Sequence, residues 1–216
     1  MEHSLERFGH FIVPIFKNGQ FEATGFVYKS WLITAGHVIM NSNPFDLSFE
    51  FADRKHCGMN YIYGEYNRYI TSNNPLNHYC EDLAIFQLET NTQSPIELLE
   101  YDDSLYNCNA EYVGYLYDEA DESHPVLISK KGLIKTQIPN NNYNNLLLDG
   151  IHDAVEGMSG GPVFVDDMVI GMLVTQLSKL PICKLISAKH IAEVIACLEE
   201  RDVVSAQHSR IRPKTD

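Results

Sequence analysis

Gly157-Met158-Ser159-Gly160-Gly161-Pro162-Val163-Phe164 is the stretch on which the reading of this chain turns. A serine set among glycines on a turn keeps its Oγ unobstructed. Glycine also lets successive backbone N–H groups converge on one point, which is how an oxyanion hole is made. The plainer reading is a glycine-rich turn ahead of a strand, with Ser159 bonded locally. Further out, Trp31-Leu32-Ile33-Thr34-Ala35-Gly36-His37-Val38 is an apolar run that delivers a histidine at a strand end. Neutral imidazole at such an edge can take a hydroxyl proton near neutral pH. Between the two, Glu81-Asp82-Leu83-Ala84-Ile85-Phe86-Gln87-Leu88 puts a carboxylate just before a third apolar strand. There it can accept from a histidine N–H and fix the tautomer. Taken singly, His37 reads as a structural histidine and Asp82 as a turn residue.

The surrounding sequence predicts short strands at 11–16, 23–29, 31–35, 83–88, 111–117, 126–131, 145–148, 161–165 and 168–175, rich in β-branched and aromatic residues. Polar breaks at Lys17-Asn18-Gly19, 41–44, 71–75, 118–125 and 139–145 separate them, and Asp166-Asp167 reads as a tight hairpin turn. Many short strands without helical patterns between them indicate an all-β sandwich or a pair of barrels. Near the end, Ile191, Val194, Ile195 and Leu198 share one helical face, with Ser187 placed as a cap. The spacing predicts a helix over 188–200 and a flexible tail over 201–216.

The length of 216 residues, with 44% hydrophobic and 21% charged, suits one large domain or two small ones sharing a seam. Sixteen Lys and Arg against 29 Asp and Glu leave a net charge of -13. That surface repels phosphate backbones and anionic lipids, so neither nucleic acid nor membrane is expected as a partner, while basic peptides are mildly favoured. The five cysteines (Cys57, Cys80, Cys108, Cys183, Cys197) form no CxxC pair. No zinc clamp, other metal site or cofactor is expected from them. No apolar run reaches the 18 or more residues of a membrane span, and Glu2 and Glu6 argue against a signal peptide. The expectation is a cytoplasmic protein with reduced thiols, Cys80 packing near Asp82 without taking part.

In the order His, Asp, Ser, the three segments resemble those of the chymotrypsin-like (trypsin-fold) serine peptidases. Thr34-Ala35-Gly36-His37 resembles the histidine motif, Asp82-Leu83-Ala84-Ile85 the aspartate motif and Gly157-Met158-Ser159-Gly160-Gly161-Pro162 the serine motif. Ile186-Ser187-Ala188-Lys189-His190-Ile191 resembles the strand-to-helix ending common in bacterial, HtrA-like members. The resemblance spans roughly residues 8–200. It implies an all-β fold of two six-stranded antiparallel β-barrels with a C-terminal α-helix. Residues 8–100 would form the barrel with His37 and Asp82, 101–187 the barrel with Ser159, 188–200 the helix, and 201–216 the tail.

The resemblance implies that Ser159 attacks a peptide carbonyl, that His37 relays the proton and that Asp82 holds His37. The N–H groups of Gly157 and Ser159 would bind the oxyanion, and Val174-Thr175-Gln176 would pair with the substrate backbone. Asp153, six residues before Ser159, stands where trypsin-like members place the acid of the specificity pocket. HtrA-like members carry an Asp-Ala pair upstream of the serine for structural reasons, and Asp153-Ala154 fits that as well. Gln176 could narrow the pocket and favour small apolar residues over Lys or Arg. Met158 replaces the aspartate that pairs with a cut amino terminus in secreted members, and neither an Ile-Val-Gly-Gly start nor their disulfide pattern is present. No PDZ domain is expected after the helix. The expectation is a stand-alone, bacterial-type serine endopeptidase acting on a restricted protein target, with a regulatory partner in a stress or defence pathway. The alternatives are a catalytically silent peptide-binding module of the same fold and an esterase using the same triad.

Overall fold

The computed structural model describes residues 3–39, 46–51, 54–57, 61–64, 82–88, 94–99, 105–117, 124–138, 145–149, 157–176 and 182–210. Strands β1 (Ile12–Lys17) and β2 (Gln20–Tyr28) form a hairpin through Asn18 and Gly19, whose φ values of 53° and 81° match a primed two-residue turn. β3 (Trp31–Thr34) follows, buried along its whole length, and ends at the four-residue helix α2 (Gly36–Ile39). With β4 (Leu47–Phe51), β5 (Arg54–Cys57), β6 (Tyr61–Gly64) and β7 (Ala84–Gln87) they make one antiparallel sheet, in the order β5-β4-β1-β2-β3-β7-β6.

The second half is a closed barrel of six strands, β8 (Asn109–Leu116), β9 (Val126–Ile138), β10 (Asn145–Asp149), β11 (Pro162–Val165), β12 (Met168–Gln176) and β13 (Ile182–Ser187). Asp166 and Asp167 turn β11 into β12 with φ values of 48° and 67°. The segment leading into this half is stitched to the barrel: Leu99 N–H donates to Val169 O at 2.8 Å and Val169 N–H to Glu97 O at 2.9 Å. The all-β double-barrel class is the observed one. The first half departs in detail, with seven strands in one sheet among the described residues, where β4 pairs with both β1 and β5.

One apolar cluster crosses the seam. It joins Phe26, Ile33, Leu83 and Ile85 of the first sheet to Val113, Phe164, Met172 and Ile186 of the barrel. The C-terminal helix α3 (Ala188–Arg210) adds Ile191, Val194, Ile195 and Leu198 to it. The helix runs ten residues beyond the expected end at 200, since no Gly or Pro occurs before Pro213. An unexpected helix, α1 (His3–Phe8), opens the chain. Its Phe8 ring, 1% exposed, stacks on Phe164 at 5.1 Å and 8°, and Arg7 pairs with Asp167 at 2.7 Å.

Ser187 caps α3: its Oγ accepts the His190 N–H at 3.2 Å. Ser187→Ala removes that acceptor and should cost about 1 kcal/mol. A chain of this size then melts about 2–4 °C lower, which a thermal unfolding scan reads directly. An unchanged midpoint would remove the cap from the account.

Candidate active site

β7 pairs with β3 so that Ala84 faces Thr34, which sets Asp82, two residues upstream, beside α2. Asp82 Oδ1 accepts the His37 backbone N–H at 2.6 Å, and Oδ2 lies 2.8 Å from His37 Nδ1. An ionised carboxylate only accepts, so this contact keeps the proton on Nδ1 and leaves Nε2 as the lone-pair nitrogen. The approach depends on Gly36, where a Cβ would stand 2.9 Å from Leu83 N and 3.2 Å from Asp82 Oδ1. Asp82 is nearly buried and the His37 ring half-buried.

Burial lowers the His37 pKa, but the Asp82 hydrogen bond, the Asp82 charge and the Glu22 charge outweigh it. The net displacement is upward from the ordinary 6.5. Glu22 is an exposed residue of β2, on the same face of the strand as Thr24.

The barrel supplies the serine loop. Gly157 and Gly160 adopt φ of 98° and 90°, the left-handed region that favours glycine. The loop is pressed against β2. Thr24 N–H donates to Ser159 O at 2.9 Å, and Thr24 Oγ1 donates to Gly157 O at 2.8 Å. Thr34 Oγ1 in turn donates to Thr24 O at 2.7 Å. The loop therefore sits opposite the β3–α2 corner that carries His37. Ser159 Oγ, half-buried, donates its proton to Val174 O at 2.8 Å, so in this conformer it is not donated to His37.

Met158 is buried in the barrel's own apolar cluster. Val174 lies buried in β12; Thr175 and Gln176 end that strand, opposite Lys184 and Cys183 of β13. β11 pairs with β12 no further than Met172. Beyond it, one edge of Val174–Gln176 has no paired strand among the described residues. Asp153 and Cys80 lie outside the described residues. Cys183 and Cys197 are free thiols, and burial pushes the Cys183 thiol up to about 11 despite the opposing Lys130 charge. Among the described residues no group of three or more His, Cys, Asp or Glu could hold a metal ion, and no helix is long and apolar enough to cross a membrane.

Sequence reasoning missed Thr24, Thr34 and Glu22. The signal for the threonines was partly there: Thr34 ends an apolar run and Thr24 lies between Ala23 and Gly25-Phe26, and both are fully buried. A buried hydroxyl needs a partner.

A family model described as Trypsin matches residues 6–179. Among curated proteins none matches. Solved structures share the fold at low identity. The active form of the Rv3671c protease from M. tuberculosis is 14% identical, with a TM-score of 0.66 over 90% of this chain and 83% of that one. A serine endoprotease from Yersinia pestis is 14% identical, with a TM-score of 0.65 over 90% and 65%. An inactivated protease paralogue of the scabies mite is 13% identical, with a TM-score of 0.66 over 90% and 96%.

The electrostatics predict a titration. In NMR, the His37 imidazole should titrate above pH 6.5, with a lower midpoint in Asp82→Asn and a smaller downward move in Glu22→Gln. The sign for stability follows: a raised folded-state pKa favours the native state fully below pH 6.5, and that contribution fades as pH rises through the raised midpoint. A Glu22→Gln midpoint equal to that of the parent chain would exclude Glu22 from the site's field.

Proposed function

The chain belongs to the trypsin family and is a serine endopeptidase, and from that premise we propose that Ser159, His37 and Asp82 are its catalytic triad. The observation that carries this reading is the two-point hold of Asp82 on His37, which fixes both the tautomer and the ring. With Nε2 unprotonated, His37 takes the Ser159 proton as Oγ attacks the carbonyl, and returns it to the leaving amine. Asp82 stabilises the imidazolium without taking a proton. The oxyanion meets the N–H groups of Gly157 and Ser159, where losing one donor typically costs about 10²–10³ in rate.

Before attack, Ser159 Oγ must leave Val174 O, a rotation about its Cα–Cβ bond. A peptide laid as an added strand along Val174-Thr175-Gln176 engages that same carbonyl and releases the hydroxyl. Asp153 and Gln176 carry two alternative readings of the residue accepted at the cut. A carboxylate at the pocket base selects Lys or Arg, whereas a side chain across the entrance selects small or medium apolar residues.

The finer reading is a bacterial-type, cytoplasmic enzyme with a restricted protein target and a regulatory partner. The free thiols of Cys183 and Cys197 support a reducing compartment. An apolar Met158, where secreted relatives use an acid for activation, supports control by another device. The scabies mite paralogue is inactivated yet equally similar in fold, so the fold does not decide between cleavage and silent peptide binding. The presence of all three residue types favours cleavage.

A fluorophosphonate probe should label Ser159 in the parent chain and not in Ser159→Ala. Ser159→Ala, His37→Ala and the double variant should fall to one residual level, on the order of 10⁵–10⁶-fold down, since the residues act as a unit. Peptidase activity surviving in Ser159→Ala would remove the triad. Faster turnover of esters with no cut peptide would favour the esterase reading.

A positional-scanning peptide library decides the pocket. Cleavage after Lys or Arg that disappears in Asp153→Ala assigns the charged pocket. Cleavage after Val, Ala or Leu, unchanged in that variant, returns Asp153 to a structural role.

A further inference from the structure

The serine loop is held by its carbonyls. Thr24 takes those of Gly157 and Ser159, and the one between them, Met158 O, accepts the Tyr112 hydroxyl at 2.8 Å. Tyr112 reaches it from β8, fully buried. The ring occupies a slot that two glycines vacate. A Cβ on Gly161 would stand 2.5 Å from Tyr112 Cε2 and 2.8 Å from its hydroxyl oxygen. A Cβ on Gly114 would collide with the Tyr112 hydroxyl and stand 3.2 Å from Thr24 Oγ1. Two of the chain's 13 glycines thus make room for one phenol beside one threonine.

The geometry points to Tyr112 as a positioning residue of the oxyanion hole, acting with Thr24. The link is the trans peptide. Met158 C=O and Ser159 N–H belong to one rigid plane and point in opposite directions. Holding the carbonyl on Tyr112 therefore aims the Ser159 N–H away from it, across the loop. The hydroxyl is a dependable donor, since burial pushes its pKa far above the ordinary 10 and keeps the proton on the oxygen. Thr24 fixes the flanking planes. Its Oγ1 accepts the Tyr115 N–H at 2.8 Å while donating to Gly157 O, so it too is locked in orientation. Met158 itself brings no charge to the loop. Two neutral hydroxyls and two backbone N–H groups, that of Thr24 on Ser159 O and that of Gly161 on Met158 O at 3.3 Å, hold these carbonyls before any substrate arrives.

This inference rests on Ser159 being the nucleophile, and its test separates the two. Burst kinetics with p-nitrophenyl acetate give an acylation rate constant and a substrate affinity. Tyr112→Phe removes one oxygen and keeps the ring; acylation should fall about 10–100-fold, part of the full cost of losing a donor, with affinity changed less than about twofold. Thr24→Val should behave alike. Tyr115→Phe, which removes a nearby hydroxyl bonded to Ile12 O, should acylate as the parent does. In NMR, the Ser159 amide should shift and exchange faster in Tyr112→Phe. Acylation at the parent rate with an unmoved Ser159 amide overturns the assignment. So does an equal loss in Tyr115→Phe, or a loss carried by affinity. A parent chain inert to both the ester and the fluorophosphonate overturns the nucleophile, and the Ser159 amide alone then judges the brace.

Discussion

Thr24 locks the two halves of this molecule in register. Its residue sits in β2 of the first sheet, yet its N–H and hydroxyl both end on the serine loop of the second. In the proposed triad the groups are split between two sheets and tolerate little relative slip, since a displacement of about 1 Å can cost about 10²-fold in rate. Apolar packing across the seam supplies cohesion but little direction. The buried hydrogen bonds supply the direction, and burial makes them strong and costly to break. Gly160 completes the fit, because any side chain there would run into Thr24 O.

The same constraint explains how a glycine-rich loop can hold one shape. Gly157 and Gly160 take left-handed φ values, and each is walled in by β2, Gly157 against Phe21 and Gly160 against Thr24. A glycine loop left to itself would sample many shapes. Here the freedom is used up by contacts from the opposite sheet. On the other side of the cleft, Asp82 does for the imidazole what Thr24 does for the loop, gripping a backbone N–H and a ring nitrogen with one carboxylate.

Much of this was legible in the sequence wherever the demand was local. β3 reads as Trp-Leu-Ile-Thr, an unbroken run, and is buried throughout. Asp166-Asp167 reads as a turn between apolar runs and is one. The glycines around Ser159 and the small Gly36 beside His37 signal close backbone approach without any knowledge of partners. What was not legible depends on partners far along the chain. β5 is Arg-Lys-His-Cys, with no apolar period, and becomes a strand by pairing with β4. α1 has six residues and no intrinsic stability; the Phe8–Phe164 stack holds it. Tyr112 looks like any aromatic in an alternating strand until the carbonyl across from it is known. The extra turns of α3 were hidden for the opposite reason, as polar residues masked a stretch that simply lacks a stop signal.

The docking of α1 has a consequence for how the molecule comes into being. Arg7 meets Asp167 across 160 residues, and Thr24 meets Gly157 across 133. Contacts of such separation pay their loop-closure entropy late, so topologies rich in them fold slowly. On a ribosome, the first sheet emerges with its leading helix undocked and with His37 and Asp82 facing no serine. The serine loop can be shaped only after β11 and β12 have left the exit tunnel. A nascent peptidase of this design is inert by construction, and cleavage begins with the closing of its own chain.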